Sequence, residues 1–225
     1  MIHLLQSNLF PQTLSSEQFI AQTHKYSQVL TAPDRWHDRW QGAVFILIVE
    51  EGLVFIKRSL NVPTHKGQIS FPGGKRDFKL SENDPIITAS RELNEELSVD
   101  LKSVLILGLL PPVYTANNFM VIPVLGRFEG SLTFFASQIR ENFEWDEAFW
   151  VSFAKLFEQS RWFHGLRMGK ESNGSIIYRS FLSSEMTYLF QIPHQGLRSP
   201  SILWGATARM VWNLNRMLID SADEN

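Results

Sequence analysis

Three glutamates and an arginine stand together in Arg91-Glu92-Leu93-Asn94-Glu95-Glu96-Leu97, a spacing that puts the carboxylates on one face of a helix. Glu92 and Glu96 are like charges four residues apart, a destabilising pairing, and Arg91 is spaced to relieve Glu95. Near a helix C-terminus each carboxylate also meets the negative end of the macrodipole, at a cost of roughly 0.3–1 kcal/mol. A solvated acidic face is the ordinary explanation of such a run. Carboxylates left uncompensated on one patch instead call for a hard divalent cation with oxygen ligands.

The helix that must carry them is legible just upstream. Asp84 can accept at the N-cap, Pro85 suits the first helical position, and Ile86, Ile87, Leu93 and Leu97 give the apolar rhythm, so a helix is predicted from about Pro85 to Leu97. The segment before it has the opposite charge. From Lys57 to Lys79 there are six Lys or Arg against the single acid Asp77, whereas Leu80 to Asp100 holds six acids against one Arg. The overall net charge of -2 conceals this dipole. A basic glycine-containing segment followed by a carboxylate-rich helix supplies donors for phosphate oxygens and then ligands for a bridging metal.

These residues resemble the signature of the Nudix hydrolases, G-x5-E-x7-R-E-U-x-E-E-x-G-U with U aliphatic. Gly74, Arg91, Glu92, Leu93, Glu95, Glu96 and Val99 fill matching positions. Sixteen residues separate Gly74 from Arg91 where the signature has thirteen, so its first glutamate has three candidate counterparts, Glu82, Asn83 and Asp84, and Ser98 stands at its last glycine. Upstream, Arg58, Ser59, Gly67, Phe71, Pro72, Gly73 and Gly74, with His65 and Gln68, resemble the L-L-T-x-R-S-x3-R-x3-G-x3-F-P-G-G motif of the coenzyme A pyrophosphatase branch. Val54-Phe55-Ile56 replace its Leu-Leu-Thr and Pro63 its second arginine. The similarity spans roughly residues 40 to 215 and includes Asn118 to Gly126, Glu144 to Val151 and Leu203 to Ala208.

The resemblance implies an α/β fold, the Nudix α/β/α sandwich with a mixed sheet. It implies Mg²⁺ or Mn²⁺ held by Glu92, Glu95 and Glu96, a catalytic set of Glu95, Arg91 and Glu144, and substrate contacts from Arg58, His65, Gly67, Gln68, Gly73, Gly74 and Lys75. Within that set Glu95 or Glu144 takes the proton of the attacking water, and Arg91 orients a glutamate. Lys66 is a further candidate for phosphate. The expected reaction is cleavage of coenzyme A or an acyl derivative to 3',5'-ADP and a 4'-phosphopantetheine product. Alternatives are hydrolysis of ADP-ribose or another nucleoside diphosphate derivative, and, in a different class, a nucleotide-binding regulator without catalysis.

Around the motif, an N-terminal helix is expected from Ser15 to about Ala32-Pro33, in a helical extension over residues 1–40 before a Nudix domain over 41–220. Gly42 to Glu50 and Leu53 to Arg58 read as a hairpin turning at Glu51-Gly52. Further strands are predicted over Val104 to Leu110, Phe119 to Phe128 and Trp150 to Phe153. A helix is predicted from Ile202 to Leu218, capped near Ser199-Pro200-Ser201. With no cysteine in the chain, thiol catalysis and a disulfide framework are excluded. No G-x-S-x-G elbow or Walker A sequence is present. The N-terminus lacks signal-peptide character, no apolar run approaches the roughly 20 residues that span a bilayer, and a cytoplasmic location is expected. A small-molecule nucleotide diphosphate fits better than nucleic acid or membrane as partner, and the N-terminal helix is expected either to serve as the arm of a homodimer or to cover the active site.

Overall fold

A computed structural model describes residues 39–50, 52–156, 162–164, 166–170, 176–180, 188–191 and 202–220. The expected helix at 15–33 and the cap at 199–201 lie outside them. Strand β1 (Gly42–Val49) turns into β2 (Gly52–Arg58). The register pairs Val49 with Gly52, so Gly52 belongs to the strand, one position earlier than the sequence suggests. Glu50 takes a left-handed conformation (φ 44°), as a two-residue hairpin requires.

The chain continues through the short strands β3 (Ile69–Ser70) and β4 (Gly73–Lys75) to helix α1 (Pro85–Leu97), whose bounds are those read from the sequence. Strands β5 (Val104–Leu109), β6 (Val113–Tyr114) and β7 (Met120–Phe128) follow, then helix α2 (Leu132–Gln138). Strand β8 runs over Trp145–Ser152 and hands Phe153 to the short helix α3 (Phe153–Leu156). The strand expected at Trp150 to Phe153 is thus the end of a longer one. Its first half, Trp145 to Ala148, carries Asp146 and Glu147 and is too polar to announce itself by hydrophobic alternation. Strands β9 (Trp162–His164), β10 (Leu166–Lys170), β11 (Ile176–Ser180), β12 (Tyr188–Gln191) and β13 (Ile202–Leu203) lead to helix α4 (Gly205–Asp220). That helix starts three residues later than predicted, because Ile202 and Leu203 pair with β12 as a strand.

The main sheet is mixed, with the path β3-β2-β1-β7-β5 and with β4 on β1, β6 on β7 and β8 on β2. β1 and β7 are parallel and the other pairs antiparallel. Strand β1 is buried on both faces, which explains its nearly unbroken apolar sequence. Phe45, Leu47 and Val49 pack with Ala89, Leu93 and Leu97 of α1, while Ile46 and Ile48 belong to the core shared with Ala208, Val211 and Leu214 of α4. This is an α/β/α sandwich with α1 and α4 on opposite faces. Trp40, buried in the α1-side core, carries the guanidinium of Arg76 4.5 Å above its ring. No helix among the described residues is long and apolar enough to cross a membrane.

Candidate active site

Helix α1 is anchored at its start by Asp84, which accepts a 2.8 Å hydrogen bond from Ile86 N–H. Its apolar stripe docks on β1, so its last two turns carry the glutamates along the edge of strand β4. The helix ends at Ser98, left-handed at φ 57°, whose N–H reaches Asn94 O at 2.9 Å. Ser98 therefore occupies the conformation that glycine takes with least strain, which is the chemistry of the signature's glycine.

The surplus residues between Gly74 and Arg91 are absorbed by a 3₁₀ turn over Phe78–Leu80 and by the Asn83-Asp84 step into the helix. That settles which acid takes the interior place. Asp84 caps the helix, Asn83 Oδ1 accepts from Arg76 Nη2 at 3.1 Å, and Glu82 is buried with 2% exposure. Glu82 accepts from Arg91 Nε at 2.7 Å, Asp77 N–H at 2.7 Å and Thr88 Oγ1 at 2.6 Å. Burial pushes its carboxyl up, but these bonds, Arg91's first, outweigh burial and hold it below the ordinary range. Arg91 spends its remaining donors on Glu92 Oε1 and Glu95 Oε2, each at 2.9 Å, and on Lys75 O at 3.2 Å. Its side chain thus contacts three glutamates, Glu82, Glu92 and Glu95, on one side of the helix. Glu82 was one of three candidates in the sequence; only the burial of its side chain distinguishes it.

Glu96, also 2% exposed, faces inward beside the glycine strand. Gly73 N–H donates to its Oε2 at 2.9 Å. Gly73 has φ 153° and an added Cβ would strike the backbone of Ala43 and Val44; at Gly74 it would collide with the Glu92 carboxylate. The two glycines thus let β4 lie directly against the acidic helix. Glu96 Oε1 is buried without a hydrogen-bond partner, with Arg58 Nη1 at 3.5 Å. Burial, reinforced by Glu92 and Glu144 against the relief from Gly73 N–H and Arg58, pushes its carboxyl up to about 8. Glu92 is raised as well, by burial first, with Arg91 opposing and Glu95 and Glu144 reinforcing.

Glu144 comes from the other side of the sheet edge. The pairing of β2 with β8 slips between Lys57–Glu147 and Arg58–Trp145, leaving Asp146 as the extra residue of a bulge. Ser59 N–H bonds Glu144 O at 2.8 Å, and Glu144 Oε2 lies 3.6 Å from Arg58 Nη2. Arg58 accordingly stands between Glu96 and Glu144, against carboxylates. Its Nε is buried without a partner.

Of the other predicted contacts, His65, Gly67 and Gln68 lie in the loop that joins β2 to β3, and Lys75 ends β4. Gly67 (φ 65°) donates to Arg58 O at 3.0 Å, and Arg58 N–H donates to Gln68 O at 2.9 Å. His65 Nδ1 lies 3.0 Å from Gln68 Oε1, so this pair ties the loop to itself. His65, Lys66 and Lys75 are exposed. Among the described residues, no three His, Asp or Glu side chains close on one point at metal-ligand distance. Glu92, Glu95, Glu96 and Glu144 are gathered around one rim without that closure. The donor set still fits a hard cation, because a buried carboxylate oxygen without a hydrogen bond lies among other carboxylates that raise its proton affinity.

Comparison with known proteins identifies the family. The NUDIX domain family model matches residues 39–168, more than half of the chain. An uncharacterized Nudix hydrolase NudL of Citrobacter koseri is 32% identical over 180 residues, covering 79% of this chain and 82% of that protein. NudL of Escherichia fergusonii is 38% identical over 101 residues and NudL of Pectobacterium atrosepticum 35% over 120; these matches cover 44% and 50% of this chain, and 52% and 62% of those relatives. Solved structures are more distant. An Ap4A hydrolase of C. elegans is 14% identical with a TM-score of 0.41, covering 50% of this chain and 80% of that one. A MutT protein of Methanosarcina mazei is 20% identical with a TM-score of 0.40, covering 51% and 78%. From the family match and the extent of its likeness to NudL, this chain belongs to the Nudix hydrolase family.

Proposed function

We propose that the protein is a divalent-metal-dependent diphosphatase that cleaves coenzyme A or an acyl derivative to 3',5'-ADP and (acyl-)4'-phosphopantetheine. The observation that carries the chemistry is Glu96: a buried carboxylate, one oxygen unbonded, set beside Glu92 and Glu144. Glu92, Glu95 and Glu96 would hold Mg²⁺ or Mn²⁺, which when bound neutralises diphosphate charge and lowers the pKa of a bound water. Arg91 orients Glu92 and Glu95. Glu95, exposed and held by Arg91, or Glu144, held beside Arg58, takes the proton as water attacks one phosphorus and the bridging P–O bond breaks. Gly73 N–H keeps Glu96 turned toward β4.

The choice of coenzyme A rests on the resemblance of Arg58 to Gly74 to that branch. The loop carrying Pro63 favours a second reading, ADP-ribose or another nucleoside diphosphate derivative, because an exposed proline stands where the branch has an arginine able to pair with phosphate. Incubating the purified protein and Mg²⁺ or Mn²⁺ with coenzyme A, acetyl-coenzyme A, ADP-ribose, diadenosine polyphosphates and nucleoside triphosphates, with products identified by mass, tests both. Release of 3',5'-ADP is expected; cleavage of ADP-ribose alone would move the specificity, and no turnover with either metal would overturn the proposal.

A further inference from the structure

Helix α1 ends with backbone carbonyls that its own ladder cannot serve. Asn94 O is taken by Ser98 N–H, but Glu95 O and Glu96 O lie in the last turn, where no following helical N–H exists. Both are bonded from outside the Nudix signature. Asn142 Nδ2 donates to Glu95 O at 2.8 Å, and Trp145 Nε1 donates to Glu96 O at 2.8 Å. The same short segment carries Glu144, whose N–H donates to Asn142 Oδ1 at 2.8 Å and whose carbonyl accepts from Ser59 N–H at 2.8 Å. The bulge at Asp146 lets Trp145 stay paired with Arg58 while Glu144 faces the helix end.

We propose that Asn142 and Trp145 are positioning residues that clamp the carbonyl end of α1 to the strand entering β8, and so set the spacing of Glu95 and Glu96 relative to Glu144. The inference rests on the reading of these carboxylates as the metal site. Its physical basis is twofold. Two polarised N–H groups lie at the negative end of the helix dipole, where the carboxylates crowd. Each bond also fixes the main chain of a ligating residue itself, which removes the freedom by which Glu95 and Glu96 could drift from Glu144. Outer partners of this kind typically change metal affinity or activity by about 10- to 100-fold when removed.

Mn²⁺ alone, titrated into the full chain and followed by the paramagnetic resonance of free Mn²⁺, tests the clamp without reference to turnover. Trp145→Phe keeps one aromatic ring and deletes the indole N–H, and Asn142→Ala deletes the other donor. Each is expected to weaken Mn²⁺ binding by about 10-fold or more while thermal unfolding of the metal-free protein stays close to that of the parent. Phe143→Ser, at an 83% exposed position in the same segment, is expected to leave Mn²⁺ affinity unchanged. Parent-like Mn²⁺ affinity in both donor variants, with affinity lost in Glu96→Gln, would overturn the clamp and leave the metal site standing. Parent-like affinity in Glu96→Gln would overturn the metal site and the clamp with it. Should Trp145→Phe lose its fold, Asn142→Ala decides.

Discussion

Glu82 and Glu96 are the two deeply buried carboxylates among the described residues, and they are buried for opposite ends. Glu82 has both oxygens occupied: Arg91 on one, Asp77 N–H and Thr88 Oγ1 on the other. Its burial is compensated, its carboxyl is held low, and it closes the loop that leads into α1. Glu96, fourteen residues on, has one oxygen on Gly73 N–H and the other without a hydrogen bond, and its carboxyl is pushed up to about 8. A satisfied buried charge organises structure; one left short of partners keeps affinity for something the polypeptide does not supply.

Breaking each in turn should separate the two roles. The largest effect is expected from Glu96→Gln, which should lower turnover by well over about 100-fold, more than loss of an outer-sphere partner typically costs, while the circular dichroism of the folded protein is unchanged. Near-parent activity would sink the assignment of Glu96. Glu82→Gln should act on stability first, by about 1–3 kcal/mol in urea unfolding, because it weakens the bond with Arg91 and leaves Asp77 N–H or Thr88 Oγ1 mismatched. If instead it abolished turnover at unchanged stability, Glu82 would belong to the chemistry.

The pH dependence sharpens the contrast because the signs differ. A carboxyl held low when folded contributes stability that is complete above the unfolded value near 4.5 and is lost as pH falls, so Glu82→Gln should flatten the acid limb of the stability profile. Glu96 holds its proton up to about 8 while the unfolded chain releases it near 4.5. Metal-free stability should therefore decline as pH rises between those values, and Glu96→Gln should remove the decline. Mn²⁺ binding should tighten over the same interval, because the ligand must give up its proton. The smallest effect expected is from Ser98→Gly: relief of the left-handed residue at φ 57° should stabilise by about 0.5–1 kcal/mol, read as a raised thermal midpoint at unchanged turnover.

Local information was legible along α1. The capping aspartate, the proline after it and the apolar stripe are near-neighbour effects, and the helix has the bounds they predict. The hairpin was legible to within one residue for the same reason. Trp145 and Asn142 carried no such signal. Their partners lie forty-nine and forty-seven residues away, and a tryptophan in a polar strand start reads equally well as core or surface. Arg58 was visible as a basic residue in a motif, but the carboxylates it faces, Glu96 and Glu144, lie thirty-eight and eighty-six residues later, the second beside a bulged pairing.

By itself the sequence determined the acidic helix and the concentration of opposite charges on either side of the glycine pair, because each follows from composition and spacing within about thirty residues; that the glycines form a strand belonged to the tertiary structure. Which of Glu82, Asn83 and Asp84 goes inside, where Arg58 points, and what holds Glu144 to the end of α1 were decided only by the tertiary structure. Burial and hydrogen-bond satisfaction depend on which strands pair and where a ladder slips, and these are properties of the assembled sheet that no short stretch of chain contains.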